Sequence, residues 1–201
     1  MPRAFSEQER TAIRGQLREA GQRLFETQGL RKTSVDEIVR AAGISKGAFY
    51  LFYDSKESLC LDVLERIEVE LRDRVLEQAL TKKGDARRRV ATVLRGFLSS
   101  WKAYPLLRHF DQADYAYLVR KLPPEQVQAH AARDDAFIEM FTSKLKREGL
   151  TVKAPPRVVV NLLRSLFWVS LHHEELGEPD FEETMGILTD LIAGQITGAP
   201  R

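Results

Sequence analysis

The chain is predicted to be all-α, with an N-terminal helix-turn-helix segment followed by a larger helical bundle. Apolar residues recur at three- and four-residue spacing in nearly every long segment. No stretch shows strand-like alternation of useful length or a hairpin turn signal. Glycine and proline stand between the periodic segments, where they end one helix and open the next.

The first helix is expected from about Ser6 to Gln28, with Ile13, Leu17, Ala20 and Leu24 on one stripe and Gly29 as its stop. From Ser55 to about Gln78, Leu59, Val63, Ile67, Leu71 and Val75 recur every four residues and predict a long helix. Lys82-Lys83-Gly84-Asp85 reads as a turn, and Val90, Val93, Leu94, Phe97, Leu98 and Trp101 mark the helix after it. Pro105 begins a less regular, aromatic-rich stretch. Pro123-Pro124 suits the first turn of a helix that ends near Gly149, and Pro155-Pro156 opens another of unusual apolarity. Gly177 and Pro179 break the chain before a last helix carrying Phe181, Met185, Leu188, Leu191 and Ile192.

The bulk numbers narrow the function. Of 201 residues, 43% are hydrophobic and 30% charged, which excludes a disordered chain. The lone cysteine, Cys60, excludes an intrachain disulfide and a cysteine-based zinc cluster within one chain. The N-terminal residues lack the apolar run of a secretion signal, and Val158–Leu171, interrupted by Asn161 and Arg164, is too short to span a bilayer. A cytoplasmic protein is therefore expected. There is no phosphate-cradling glycine loop and no nucleophile elbow, so an enzyme is not expected. No cofactor or metal is expected either: His172-His173 beside Glu174-Glu175 point in different directions on a helix and cannot easily share one ion.

The informative stretch runs from Thr33 to Lys56. Ser34-x-x-Glu37 has capping-box spacing, and Thr33-x-x-Asp36 has a weaker form of it. Val35, Ile38 and Ala42 then share a helix face, Gly43 tolerates positive φ at the helix end, and Ile44 plugs the turn. Ser45 caps a second short helix, Lys46 to Tyr53, with Phe49 and Tyr53 on its inner face. Two short helices around a glycine-containing turn form a helix-turn-helix.

The outward chemistry of that second helix suits DNA. Lys46 can reach a phosphate or a guanine edge, and Gly47 and Ala48 lack bulk, so the helix can press into a major groove. Tyr50 offers a hydroxyl to a phosphate, and Thr33 and Ser34 place hydroxyls and amide donors at a helix N-terminus. Arg31, Lys32, Arg40 and Lys56 add positive charge nearby, Arg40 either as a phosphate contact or as a solvated helix charge. Residues 1–54 hold nine basic against seven acidic side chains, and the whole chain is only +2, so the signal is clustering rather than gross charge.

Leu24-Phe25, Gly29, Thr33-Ser34-Val35, Ile38, Ala42-Gly43-Ile44-Ser45, Gly47, Phe49-Tyr50 and Ser55-Lys56-Glu57-Ser58-Leu59 together resemble the N-terminal signature of TetR-type regulators. About the first sixty residues carry the match. The resemblance implies three N-terminal helices, a linking fourth, a ligand domain and a homodimer. By position it makes Thr33, Ser45, Lys46, Gly47, Ala48, Tyr50 and Lys56 DNA-facing. Phe52 stands where the family often has histidine and Leu51 where an aromatic is frequent, so one or two contacts of the family pattern are missing. The expected domains are residues 1–54 for DNA and 55–201 for ligand binding and dimerisation.

In the second half, a pocket between helices is expected from Phe97, Trp101, His109, Phe110, Phe137, Phe141, Asn161, Arg164 and Trp168. For any single aromatic there, core is the first reading and pocket the second. Arg164 interrupts an apolar helix and should meet a carboxylate, lie at an interface edge, or hold an anionic ligand. The helix from Pro156 to His172 is apolar nearly all round, so a homodimer is expected. In it, Leu162, Leu166, Val169 and Ser170 pack with Leu188, Leu191 and Ile192 against their symmetry mates. The expected function is a ligand-responsive regulator, a repressor before an activator, that binds a near-palindromic duplex operator as a homodimer and is released by a small hydrophobic or amphipathic effector. A DNA-binding structural protein without a ligand is the alternative.

Overall fold

The structure is a computed structural model and describes residues 5–81, 85–108, 110–149, 151–177 and 180–198. Every regular element among the described residues is a helix. Contacts divide the chain into two compact units. One comprises Met1–Glu68 and Pro105–Leu122, the other Val69–Tyr104 and Pro123–Arg201.

The first unit begins with α1 (Glu7–Gln28). Ser6 caps it through a reciprocal box in which its hydroxyl accepts from the Glu9 amide and the Glu9 carboxylate accepts from its own amide. Gly29, at φ 80°, ends it. Ser34 and Glu37 repeat the same box at the start of α2 (Val35–Ala42), and Gly43 closes α2 in the left-handed region at φ 70°. Ser45 caps α3 (Lys46–Phe49), accepting from the Ala48 amide at 3.1 Å. α3 is shorter than the Lys46–Tyr53 expectation, because the chain leaves the helix in turns through Phe52. The long helix is α4 (Lys56–Thr81).

Leu17, Ala20, Phe25, Ile38, Phe49 and Leu59 lie at most 1% exposed and form the centre of this unit. Gly21 lets α1 and α4 approach closely, since a Cβ there would stand 2.8 Å from the buried Leu59 side chain. The aromatic-rich stretch resolves into α6 (Pro105–Arg108) and α7 (Gln112–Lys121), the latter capped by Asp111. Leu106, Leu107, Phe110 and Leu118 are buried, and α6 packs on α1. The first unit therefore reaches past residue 54, taking in the start of α4 and a segment some forty residues further on.

The second unit contains the rest of α4, then α5 (Ala86–Ala103), α8 (Pro124–Arg147), α9 (Pro156–Leu171), the short α10 (His173–Leu176) and α11 (Asp180–Thr197). Asp85 caps α5; the remainder of the expected turn, 82–84, and Pro179 lie outside the described residues. The proline pairs open α8 and α9 as expected. Its core joins Val90 and Leu94 of α5, Ile138, Phe141 and Leu145 of α8, Val159, Val160 and Leu166 of α9, and Phe181, Met185, Ala193 and Ile196 of α11. No helix among the described residues is long and apolar enough to cross a membrane.

Candidate nucleic-acid interface

The residues predicted to face DNA fall in one place but not in one role. Tyr50 and Leu51, at the end of α3, are 50% and 61% exposed. Lys46 and Gly47 are exposed and Ala48 is half-buried. A Cβ on Gly47 would meet nothing closer than the Ser45 hydroxyl at 4.0 Å, so the missing side chain leaves room on the outside of α3 and fills no need of the packing. The Lys46 ammonium lies 3.0 Å from the Asp36 carboxylate of α2, which raises its pKa. Such an exposed pair is held weakly and exchanges readily for a phosphate.

Beside α3 lies an open groove of about 510 Å³. Its wall includes Arg31, Lys32, Ser34, Lys46, Tyr50 and Lys56, together with Asp36, Asp54 and Glu57. Ser34 presents its hydroxyl at the α2 N-terminus, engaged with Glu37 at 2.7 Å. Ser45 works as the α3 cap.

Two predicted residues are committed inward. Thr33 is 1% exposed and its hydroxyl donates to the Gly29 carbonyl at 2.8 Å. The weaker Thr33-x-x-Asp36 box therefore does not form. Lys56 donates to three backbone carbonyls, those of Leu30 at 2.9 Å, Arg31 at 3.0 Å and Thr33 at 2.6 Å. An ammonium has three N–H donors, and here all three have acceptors. Lys56 thus ties the first turn of α4 to the loop between α1 and α2.

Other structural partners were not foreseen. Arg18 of α1 donates through two nitrogens to Asp62 of α4, both at 2.7 Å, and the Tyr53 hydroxyl donates to the same carboxylate. Partial burial pushes the Asp62 carboxyl up, but the bonds from Arg18 and Tyr53 outweigh it and hold it below its ordinary range. Burial first, and then Asp62, pushes the Tyr53 hydroxyl up. Arg31 pairs with Asp114 of α7 at 3.0 Å, and Tyr117 donates to Glu57 at 2.8 Å. Asp114 is raised, by its burial and by Asp111, against the pull of Arg31. Tyr53 and Asp62 are nine residues apart; the other partners lie 44 to 83 residues apart in sequence, and no local spacing announces them.

The predicted pocket residues are divided between the two units. Phe110 belongs to the first unit and is buried there. Phe137 and Phe141 stack on α8 with centroids 6.1 Å apart, and Arg72 lies 5.0 Å over Phe137. Asn161 is exposed, Trp168 is 42% exposed, and Arg164 takes the first of its three expected options, meeting Asp135 at 2.7 Å. His109 and the side chains of Phe97 and Trp101 lie outside the described residues. Of the predicted dimer residues, Leu166 and Ser170 are buried within the protomer. Leu191 is exposed, and Leu162, Val169, Leu188 and Ile192 are half-buried.

Comparison with known proteins agrees with the geometry. Residues 17–63 match the family model of bacterial regulatory proteins of the tetR family. The chain is 40% identical over 70 residues to the HTH-type transcriptional regulator YuxN of Bacillus subtilis, covering 35% of this chain and 23% of that protein. It is 29% identical over 85 residues to the HTH-type transcriptional regulator EthR of Mycolicibacterium smegmatis, covering 42% of this chain and 39% of the relative. The matches thus span less than half of these relatives' own length. Among solved structures, Thermus thermophilus FadR, a TetR-family transcriptional repressor in complex with lauroyl-CoA, has a TM-score of 0.65 at 20% identity, over 91% of this chain and 94% of that one. That likeness shows a shared fold. These relatives are regulators and not enzymes. The family match lies over the capped helix-turn-helix, so residues 17–63 of this chain are similar to the N-terminal segment of tetR-family bacterial regulatory proteins.

Proposed function

We propose that the chain is a DNA-binding transcriptional regulator, a repressor that holds a near-palindromic operator as a homodimer in the cytoplasm and is released by a small hydrophobic or amphipathic effector. The observation that carries the reading is the outer face of α3. Lys46, Gly47, Tyr50 and Leu51 stand outward beside a groove whose walls carry both basic and acidic side chains, while Phe49 and Tyr53 anchor the helix from within. Within the predicted set, Ser34, Lys46, Gly47, Ala48 and Tyr50 are the candidates for direct contact; Thr33, Ser45 and Lys56 hold the backbone that presents them.

The dimer reading is supported by α9 and α11. Val158 and Trp168 of α9 and Ile187 and Leu191 of α11 are each 40–55% exposed in one protomer. Large apolar side chains recurring on two helices of one unit need cover from water. For the effector, long-chain acyl thioesters are the first class to test, since a fold neighbour holds lauroyl-CoA.

The decisive experiment is a gel shift with the DNA upstream of the gene. Lys46→Ala with Tyr50→Ala should abolish the shift while the circular dichroism spectrum stays unchanged. Undiminished binding by that double variant would remove α3 from the interface. Release of the wild-type complex by micromolar lauroyl-CoA, and not by free CoA, would identify the effector class.

A further inference from the structure

We propose that Arg10, near the start of α1, binds a DNA phosphate from a position set by Phe52, and so extends the interface beyond the helix-turn-helix. The inference rests on the DNA-binding reading and names a contact that reading does not contain. Phe52 directly follows Tyr50 and Leu51, the most exposed residues at the end of α3, yet its ring has no group that bonds a phosphate. The ring is instead a platform. Phe5 packs on it with centroids 6.1 Å apart, and the Arg10 guanidinium carbon stands 5.1 Å from its centroid.

A ring face attracts a cation without neutralising it, and a guanidinium so placed keeps its charge and its planar fork of N–H donors. Arg18, two turns along the same helix, differs: Asp62 takes it up through two hydrogen bonds. Arg10, Arg14 and Arg18 recur every fourth residue, and like charges one turn apart disfavour a helix. Asp62 relieves that repulsion at Arg18. Asp62 also attracts the exposed Arg14, whereas at Arg10, one turn nearer the N-terminus, an anion from outside would relieve it. Phosphates border the major groove on both sides, so a duplex that receives α3 carries one toward a cation fixed against the residue just past α3.

The test is the salt dependence of binding by the full chain to a short duplex of arbitrary sequence, between about 50 and 200 mM salt. Arg10→Gln should lower the slope of log affinity against log salt by about 0.9 and weaken binding roughly tenfold at the low-salt end. Its melting temperature should match the wild type. Arg10→Lys should keep the slope. Phe52→Leu, which retains the charge and removes the platform, should lose affinity a few-fold at unchanged slope. Wild-type slope and affinity in Arg10→Gln would overturn the proposal, and so would a loss accompanied by a lowered melting temperature at unchanged slope. A wild-type chain that binds no duplex at low salt would overturn the DNA-binding reading as well.

Discussion

At the residue scale, identity and role part company. Lys56 is a cation beside a proposed DNA surface, and the resemblance places it against DNA. Its ammonium instead meets three carbonyls of the α1–α2 loop. Carbonyls gathered in a loop carry negative partial charge and cannot reach one another's donors, so a buried-side ammonium organises them. Lys56→Met keeps the length of the side chain and removes these bonds. We expect a loss of about 1–3 kcal/mol in urea unfolding. The salt slope of DNA binding should remain that of the wild type, because no phosphate contact is removed. A slope lower by about 0.9 with unchanged stability would instead assign Lys56 to a phosphate.

At the scale of elements, the helix-turn-helix is tied to its neighbours by a carboxylate. Asp62 of α4 receives Arg18 of α1 and Tyr53, which ends the turn after α3. Three segments therefore share one anion. Its pKa is lowered in the folded chain, against about 3.9 when unfolded. The sign follows: the stabilisation is complete above about 3.9 and is lost as the pH falls through the lower folded value. Asp62→Asn should cost about 1–3 kcal/mol at neutral pH, leaving Arg18 without its partner charge. It should also flatten the fall in stability below about pH 4, measured by urea titration. An acid limb as steep as that of the wild type would mean other carboxylates control it.

At the scale of the whole molecule, the proposed switch depends on two features. One is the apolar face of α9 and α11. Ile187→Glu with Leu191→Glu places charges where a second protomer would seat and leaves the buried residues of both helices untouched. The wild type should sediment at twice the 23.0 kDa protomer mass and the double variant as a monomer that still melts cooperatively. A wild-type monomer would sink the dimer. The other feature is connectivity. α4 contributes its start to one unit and its continuation to the other, and the α6–α7 segment joins the first unit although both its chain neighbours belong to the second. Through Arg31–Asp114 and Tyr117–Glu57 that segment grips the α1–α2 loop and the first turn of α4.

Much of this was legible from residue order, and the division has a physical cause. Capping boxes at Ser34, the glycine stop at Gly43, the Ser45 cap and the proline-opened helices are hydrogen-bond and steric matters within three or four residues, so spacing suffices to place them. Folding alone settled what bonds across distance. It turned Thr33 inward, gave Lys56 to three carbonyls, buried Leu166 and Ser170 inside the protomer, and brought Asp114 and Tyr117 into the first unit. A polar side chain states in sequence that it needs a partner. Which partner it meets depends on chain segments brought together by burial of apolar surface, and that burial has no local signature.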